Sequence, residues 1–256
     1  MMISKEGVSA IFKKCGVSKG DSIFLHCDAL VTLGLQGSDV NERMSVLFDG
    51  ILELIGKSGT LIIPTFTYSA TKGEIFDVDE SQSVVGLLTE YFRKLPGVCR
   101  SLNPIFSVAS IGAMAETFKN SSFDDCFGKK SSFALIHKMN TWIFTLGCSF
   151  DRITFIHYID QAEQVDFRYF KSFPAVIVNK KETKNITIRY LVRDINRETD
   201  VKLDKLKVRL NAKNLLKSEE IGRAELTGVK SKDFYKVAVE MIREKQNIHI
   251  KEGYSK

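Results

Sequence analysis

The sequence lacks most of the features that would place it in a specialised class. Of its 256 residues only 4 are prolines and 17 are glycines, too few for a fibrous or low-complexity chain. The five cysteines (Cys15, Cys27, Cys99, Cys126 and Cys148) are odd in number and form no CxxC pair, which argues against a disulfide framework and against a cysteine-built zinc site. They read mainly as small buried hydrophobes. No long hydrophobic run is present: the longest weakly polar stretch, Ile105 to Ala115, is broken by serines and ends at Glu116, well short of the ~18 residues of a membrane span. Met1 to Gly7 carries Lys5 and Glu6 with no apolar segment behind them, so no secretory signal is read and a cytoplasmic location is expected.

What is present is the balance of a packed globule, with 44% hydrophobic and 27% charged residues. A chain of this length can bury a core without staples, and with no linker in sight it reads as a single domain over residues 1–256. The formal charge is +6, and lysines crowd between Lys180 and Lys256. That excess favours an anionic partner or reflects a solvated lysine-rich surface. It is far from the dense basic stripe of a nucleic-acid binder, and no nucleic-acid motif accompanies it.

Apolar spacing predicts a helix ending near Gly16, with Val8, Ile11, Phe12 and Cys15 on one face, then a buried strand Ser22 to His26. Asn41 to Ile55 is the clearest amphipathic helix, followed by a strand from Thr60 to Pro64. Ser83 to Leu95 repeats the helical pattern, with Val84, Leu87, Leu88, Tyr91 and Phe92 inward, before an apolar stretch from Phe106. Helices at Ser132 to Met139 and Thr154 to Glu163 flank a strand at Trp142 to Leu146. This alternation predicts an α/β fold, a mixed central sheet flanked by helices. Residues 174–216 form a β-rich and helical elaboration: strands Ala175 to Val178 and Ile186 to Val192 joined by a polar turn, then a basic helix Asp204 to Leu216. A segment Glu220 to Val229 and an amphipathic helix Lys232 to Lys245 close the chain.

Gly56-Lys57-Ser58 superficially suggests a phosphate loop, but that pattern needs glycine where Ile51 stands and a helix after it, whereas here a helix ends. Four histidines limit proton transfer to His26, His137, His157 and His249. His249 in the tail and His137 on a helix surface read as bystanders. His26 ends a strand, where ligands commonly bind. If Thr154 opens a helix, Thr154, His157 and Asp160 fall at i, i+3 and i+6, so that hydroxyl, imidazole and carboxylate share one face. A capped helix with a satisfied histidine explains the same letters. A Cys27 or Cys148 nucleophile paired with His157 is also open. No further histidines or carboxylates group with these, so no metal is expected.

The ordered series His26-Cys27-Asp28-Ala29-Leu30, Gly59-Thr60-Leu61, Pro64-Thr65-Phe66-Thr67, Arg100-Ser101, Pro104, Ser107-Val108, Phe127-Gly128, Ser131, Gly147 and Thr154-Phe155-Ile156-His157, continued by Gly222 and Ala224, resembles the aminoglycoside 3-N-acetyltransferase family, part of the antibiotic N-acetyltransferase superfamily. The resemblance implies an α/β fold unlike the GNAT acetyltransferases, an acyl-CoA co-substrate (acetyl or 3-hydroxyacyl), transfer to an amine, and compatibility with a homodimer. It implies that His157 is a general base supported by Asp160, where the family usually carries glutamate, with Thr154 or nearby N–H groups stabilising the oxyanion. It further implies a coenzyme channel lined by His26, Cys27, Asp28, Ala29, Leu30, Arg100, Ser101, Ser107, Lys129 and Ser131, and an acceptor site involving Thr67, Tyr68 and Asn103. Two departures stand out: Cys27 and Asp28 replace two serines, and Asn103 replaces the histidine of antibiotic-modifying members. With the net positive charge, they favour an anionic acceptor, the amine of a dTDP-type nucleotide-linked amino deoxysugar used in surface-polysaccharide (O-antigen) synthesis, over a polycationic aminoglycoside. A non-catalytic coenzyme- or sugar-binding protein of the same fold is the other alternative.

Overall fold

The computed structural model describes residues 2–251. In chain order the elements are α1 (Lys5–Lys14), β1 (Ser22–Cys27), α2 (Val40–Ile55), β2 (Thr60–Pro64), α3 (Ser69–Lys72), β3 (Phe76–Asp77), α4 (Leu87–Arg93), β4 (Cys99–Arg100), β5 (Val108–Gly112), α5 (Ala115–Lys119), α6 (Ser132–Lys138) and β6 (Trp142–Leu146). They continue with α7 (Ile156–Ala162), β7 (Arg168–Asn179), β8 (Glu182–Arg193), α8 (Asp204–Ala212), β9 (Lys217–Ile221), β10 (Ala224–Lys230) and α9 (Ser231–Glu244). A 3-10 helix, Ala29–Gly34, follows β1.

Seven strands form a mixed sheet in the order β4-β5-β2-β1-β6-β10-β9. Its centre, β2-β1-β6, is parallel, and its flanks are antiparallel. The central strands are buried on both faces, hence their continuous apolar runs rather than alternation. Ile23, Leu25, Leu61, Ile63 and Leu146 pack against Phe12 of α1, Phe48 and Ile51 of α2, and Phe92 of α4. Phe24, Ile62 and Ile143 face the other way, onto Phe133 of α6, Ile156 and Ile159 of α7, and Phe234 of α9. The expected α/β fold, a mixed sheet between helices, is what the chain adopts.

Local chemistry explains the boundaries. The Asp39 carboxylate accepts from the N–H groups of Asn41 and Glu42 at 2.8 and 2.9 Å and starts α2. Gly56 ends it at φ +62°, which disposes of the phosphate-loop motif. The helix expected from Ser83 begins only at Leu87, because Gly86 takes φ +136° and Ser83 bonds ahead to Glu90 and Thr89. Val84 and Leu87 are consequently exposed, not inward.

The C-terminal half departs further from expectation. β7 and β8 pair over twelve residues each, Arg168↔Arg193 to Asn179↔Glu182, around a two-residue turn. With β3 they make a second sheet in the order β3-β7-β8. The polar stretch expected as a turn is mostly strand, since both faces of this end meet solvent and alternation vanishes. Glu220 to Val229 is a hairpin of β9 and β10, and the basic helix stops at Ala212. Among the described residues no helix is long and apolar enough to cross a membrane.

Candidate active site

α7 carries His157 and Asp160 one turn apart on a single face, so the imidazole Nδ1 lies 3.2 Å from Asp160 Oδ2. Asp160 is fully buried. Arg168 Nε, at the start of β7, stands 2.9 Å from the same oxygen as an ion pair, and His249 Nε2 donates to Oδ1 at 2.7 Å. Burial alone would raise the Asp160 pKa. The bonds from His157 and His249 and the charge of Arg168 outweigh it and hold the carboxyl well below the usual range.

His157 is pushed the other way. Burial first, then the Arg168 charge, lowers its pKa to about 4 against the opposing pull of Asp160. The ring is therefore neutral at physiological pH. An ionised Asp160 can only accept, so Nδ1 carries the proton and Nε2 keeps its lone pair. With 18% of its side chain exposed, the ring can reach a bound molecule. Phe127 packs against it at 5.6 Å and continues through Phe106 to Tyr68 and Tyr190, at 4.9, 5.5 and 5.0 Å between successive ring centres. One wall of the site is thus aromatic.

The second component lies at the carboxyl ends of β1 and β6, the usual ligand position in a parallel α/β sheet. His26, at the end of β1, is 6% exposed. Its Nε2 accepts a long 3.4 Å bond from the Thr154 N–H, and its carbonyl accepts from the Cys148 thiol at 3.5 Å. These contacts tie the strand end to the loop that enters α7. Burial lowers the His26 pKa to about 4, opposed by the Phe144 carbonyl. Beside it opens a cleft of about 1020 Å³ whose lining includes Leu30, Val31, Gly34, Gly147, Cys148 and Gly222. Gly34 and Gly222 approach so closely that a Cβ on Gly34 would sit 2.9 Å from the Gly222 Cα, and Gly222 takes φ +65°. Only glycine fits both wall positions.

The other expected residues divide into two groups. Asp28 caps the 3-10 helix through the Leu30 N–H at 2.8 Å. Cys27 and Ala29 are half-buried there, and Leu30 stands 69% exposed at the cleft. Arg100, Ser101 and Ser107 are by contrast buried in a polar knot away from the cleft. The Arg100 guanidinium donates to the carbonyls of Val78, Ser81 and Thr65 and to the Ser107 hydroxyl. Ser101 Oγ accepts the Val108 N–H. Their polar groups are already engaged within the chain.

Asn103 likewise turns the chain, its Oδ1 accepting from the Ile105 and Phe106 N–H groups. The Thr67 hydroxyl donates to the Pro104 carbonyl, whereas Tyr68 stays half-buried at φ +58° beside Phe106. Ser131 caps α6 by accepting the Ala134 N–H, and Lys129 is exposed. Thr154 does not open a helix: it precedes α7, and its hydroxyl donates to the Arg152 carbonyl at 3.3 Å. Its N–H is also turned to His26, so both of its donors are engaged within the chain.

Burial raises the Cys27 and Cys148 pKa values and keeps both thiols protonated, which disfavours the cysteine-nucleophile alternative. Among the described residues, no group of three or more His, Cys, Asp or Glu is arranged to hold a metal ion. His249 corrects the sequence reading outright, because it is 2% exposed and bonded to Asp160 rather than a bystander. Arg168 carried no sequence signal, since it lies outside every motif and meets Asp160 only in the folded chain. The Phe127 ring was within reach, as it belongs to the Phe127-Gly128 pair.

Known proteins place this geometry in context. Aminoglycoside N(3)-acetyltransferase III of Pseudomonas aeruginosa is 23% identical over 69% of this chain and 70% of its own length. Aminoglycoside N(3)-acetyltransferase IV of Salmonella sp is 24% identical over 88% and 81% respectively. Among solved structures, aminoglycoside acetyltransferase AAC(3)-Xa superposes with a TM-score of 0.81 at 19% identity, covering 96% of this chain and 94% of that one. AAC-IIIb, solved as a binary complex with CoASH, gives 0.81 at 18% identity over 95% and 97%. Structural likeness at this identity speaks for the fold alone. Residues 33–243, most of the chain and all of α7, match the aminoglycoside 3-N-acetyltransferase family, and the protein is accordingly a member of that family of acyl-CoA-dependent N-acetyltransferases.

Proposed function

We propose that the protein transfers an acetyl group from acetyl-CoA to the amine of an aminoglycoside-type sugar, with His157 as general base. What carries the reading is one imidazole with Nδ1 turned to a buried ionised carboxylate and Nε2 left with its lone pair at a partly exposed edge. A thioester carbonyl is already electrophilic, so the protein has mainly to present a neutral amine in line with it. The His157 Nε2 takes the proton as the amine nitrogen bonds to the carbonyl carbon. Collapse of the tetrahedral intermediate breaks the C–S bond, and the proton passes to the departing thiolate. Asp160 stays ionised throughout and balances the charge of the transient imidazolium. On this reading the donor enters by the cleft lined by Leu30 and Cys148, at the strand ends next to His26, and its thioester is carried on to His157.

The relatives' names favour an aminoglycoside acceptor. A specific observation favours a second reading, the nucleotide-linked amino sugar. The carboxylates beside α7 are already neutralised: Asp125 bonds Arg189 and Gln161, and Glu163 bonds Arg243. A polycation gains less there than an anion gains from a chain of formal charge +6. Thiol release measured with acetyl-CoA and 3-hydroxyacyl-CoA donors, crossed with free aminoglycosides and dTDP-linked amino sugars, separates the two. Turnover with aminoglycosides alone upholds the first reading, and turnover with nucleotide sugars alone replaces it. Donor binding with no turnover on any amine identifies a non-catalytic binding protein.

A further inference from the structure

The shortest contact to the Asp160 carboxylate is on the oxygen away from His157. The contact to His157 Nδ1 is 3.2 Å, long for a charge-assisted bond, whereas His249 grips the other oxygen at 2.7 Å. Arg168, 2.9 Å from Oδ2, adds charge. The short His249 bond therefore does most to set the plane of the carboxylate.

His249 lies beyond residues 33–243, the stretch matched by the family. It reaches Asp160 because the segment after α9 is pinned to the loop before α8. Lys202 N–H donates to the His249 carbonyl at 2.9 Å, Lys251 N–H to the Asp200 carbonyl at 2.8 Å, and Ile250 bridges Val201. Phe167 packs on the ring at 5.5 Å. The His249 Nδ1 is buried with no hydrogen-bond partner, a cost that an apolar residue of similar size would avoid. Packing alone does not explain an imidazole here, and its one polar contact is with the carboxylate that orients His157.

We propose that His249 is a positioning residue: through its Nε2–H it fixes the Asp160 carboxylate in the orientation that accepts the His157 Nδ1–H, coupling the chain's C-terminal segment to acyl transfer. The inference rests on His157 being the general base, as proposed above. The charged and titratable groups around Asp160 are His157 from its own helix, Arg168 from β7 and His249 from the C-terminal segment. Tyr190 of β8 is near enough to Arg168 to feel its charge.

The test compares His249→Gln with His249→Asn in the full chain. A glutamine amide can place its N–H where Nε2 stood, whereas an asparagine amide reaches only the Nδ1 position. The glutamine variant is expected to keep near wild-type kcat. The asparagine variant is expected to lose on the order of 10- to 100-fold in kcat, as other groups that orient a ligand do, with KM for both substrates unchanged. In 15N imidazole spectra, His157 should keep its Nδ1–H tautomer in the glutamine variant and become a tautomer mixture in the asparagine variant. Equal kcat and equal His157 spectra in the two variants would overturn the proposal. Should neither variant fold, the wild-type spectrum decides: a His249 Nε2–H shifted far downfield supports the role, and a His249 protonated at Nδ1 alone rejects it. The spectra do not depend on turnover, so an inactive wild type would sink the enzymatic reading while leaving the positioning role decided on its own.

Discussion

The two faces of the central sheet bury different things. On the α1 and α2 face, the fully enclosed side chains are hydrocarbon: Ile23, Leu25, Phe48, Ile51, Ile55 and Leu61. On the α7 face, the buried side chains include Asp160, Arg168 and His249 beside the hydrocarbon of Phe133, Phe155 and Ile159. Burying an aliphatic side chain contributes about 1.5–3 kcal/mol. Burying a charged cluster returns little net stability, because desolvation offsets the attraction between its members. The difference separates scaffold from machinery: one face holds the sheet together, and the other gives up stability to keep a carboxylate ionised and an imidazole neutral.

The contrast can be broken most sharply at His157. Replacing it with alanine is expected to lower kcat by on the order of 10² to 10⁴, with acyl-CoA affinity by calorimetry unchanged. A variant with near-normal turnover would leave the polar face without a catalytic role. Next in size is Arg100→Met, which probes a buried charge whose hydrogen bonds go to the chain itself. It would strand the Val78, Ser81 and Thr65 carbonyls and the Ser107 hydroxyl in the interior. A loss of about 3–5 kcal/mol in urea unfolding is expected. KM for acyl-CoA in the residual folded enzyme should be unaltered, and a KM effect that outweighs the stability loss would return Arg100 to the channel.

The same division governs how much the sequence revealed. β2 and β6 match their expected limits, and α2 begins one residue early, because their apolar patterns are local and their ends are marked by Asp39 and Gly56. His157 and Asp160 were also readable, since i, i+3 spacing is a local geometry. What failed was long-range. Arg168 and His249 meet Asp160 only through the hairpin and the return of the C-terminal segment, and neither position carries a periodic signal. The strand expected to begin at Ala175 extends back to Arg168, so that Pro174 lies within β7 opposite Thr187. Arg100 belongs to a motif of the family resemblance and Asn103 stands where antibiotic-modifying members carry histidine, yet in this chain their hydrogen bonds turn inward.

Acid unfolding sharpens the comparison further. His26 is pushed to about 4, against an ordinary value of about 6.5 in the unfolded chain. With the folded pKa depressed, the unfolded chain takes up the proton first as the pH falls. Stability from the neutral ring is complete above about pH 6.5 and declines between there and about pH 4, by about 3 kcal/mol. His26→Gln keeps an acceptor for the Thr154 N–H and removes the titration. The urea midpoint should therefore fall less between pH 7 and pH 4.5 in the variant than in the wild type. A residual slope is expected from His157, whose pKa is also about 4. Identical slopes in variant and wild type would show that His26 is not held neutral.

The smallest expected effects come from one helix cap on each face. Asp39 starts α2 with two exposed bonds, to Asn41 and Glu42. Ser131 starts α6 with one, to Ala134 at 3.3 Å, and is 1% exposed. Asp39→Ala should cost about 1 kcal/mol and leave kcat and KM untouched. Ser131→Ala should cost about half as much, because a single long bond is lost. Its KM for acyl-CoA is the informative number, since the family resemblance puts Ser131 in the coenzyme channel while its hydroxyl is turned to the Ala134 N–H. An unchanged KM alongside a small drop in Tm would make Ser131 a cap on the polar face that does the same work as Asp39 on the apolar one. A severalfold rise in KM would instead mean that the donor reaches the start of α6, and that the machinery extends beyond α7 along this face of the sheet.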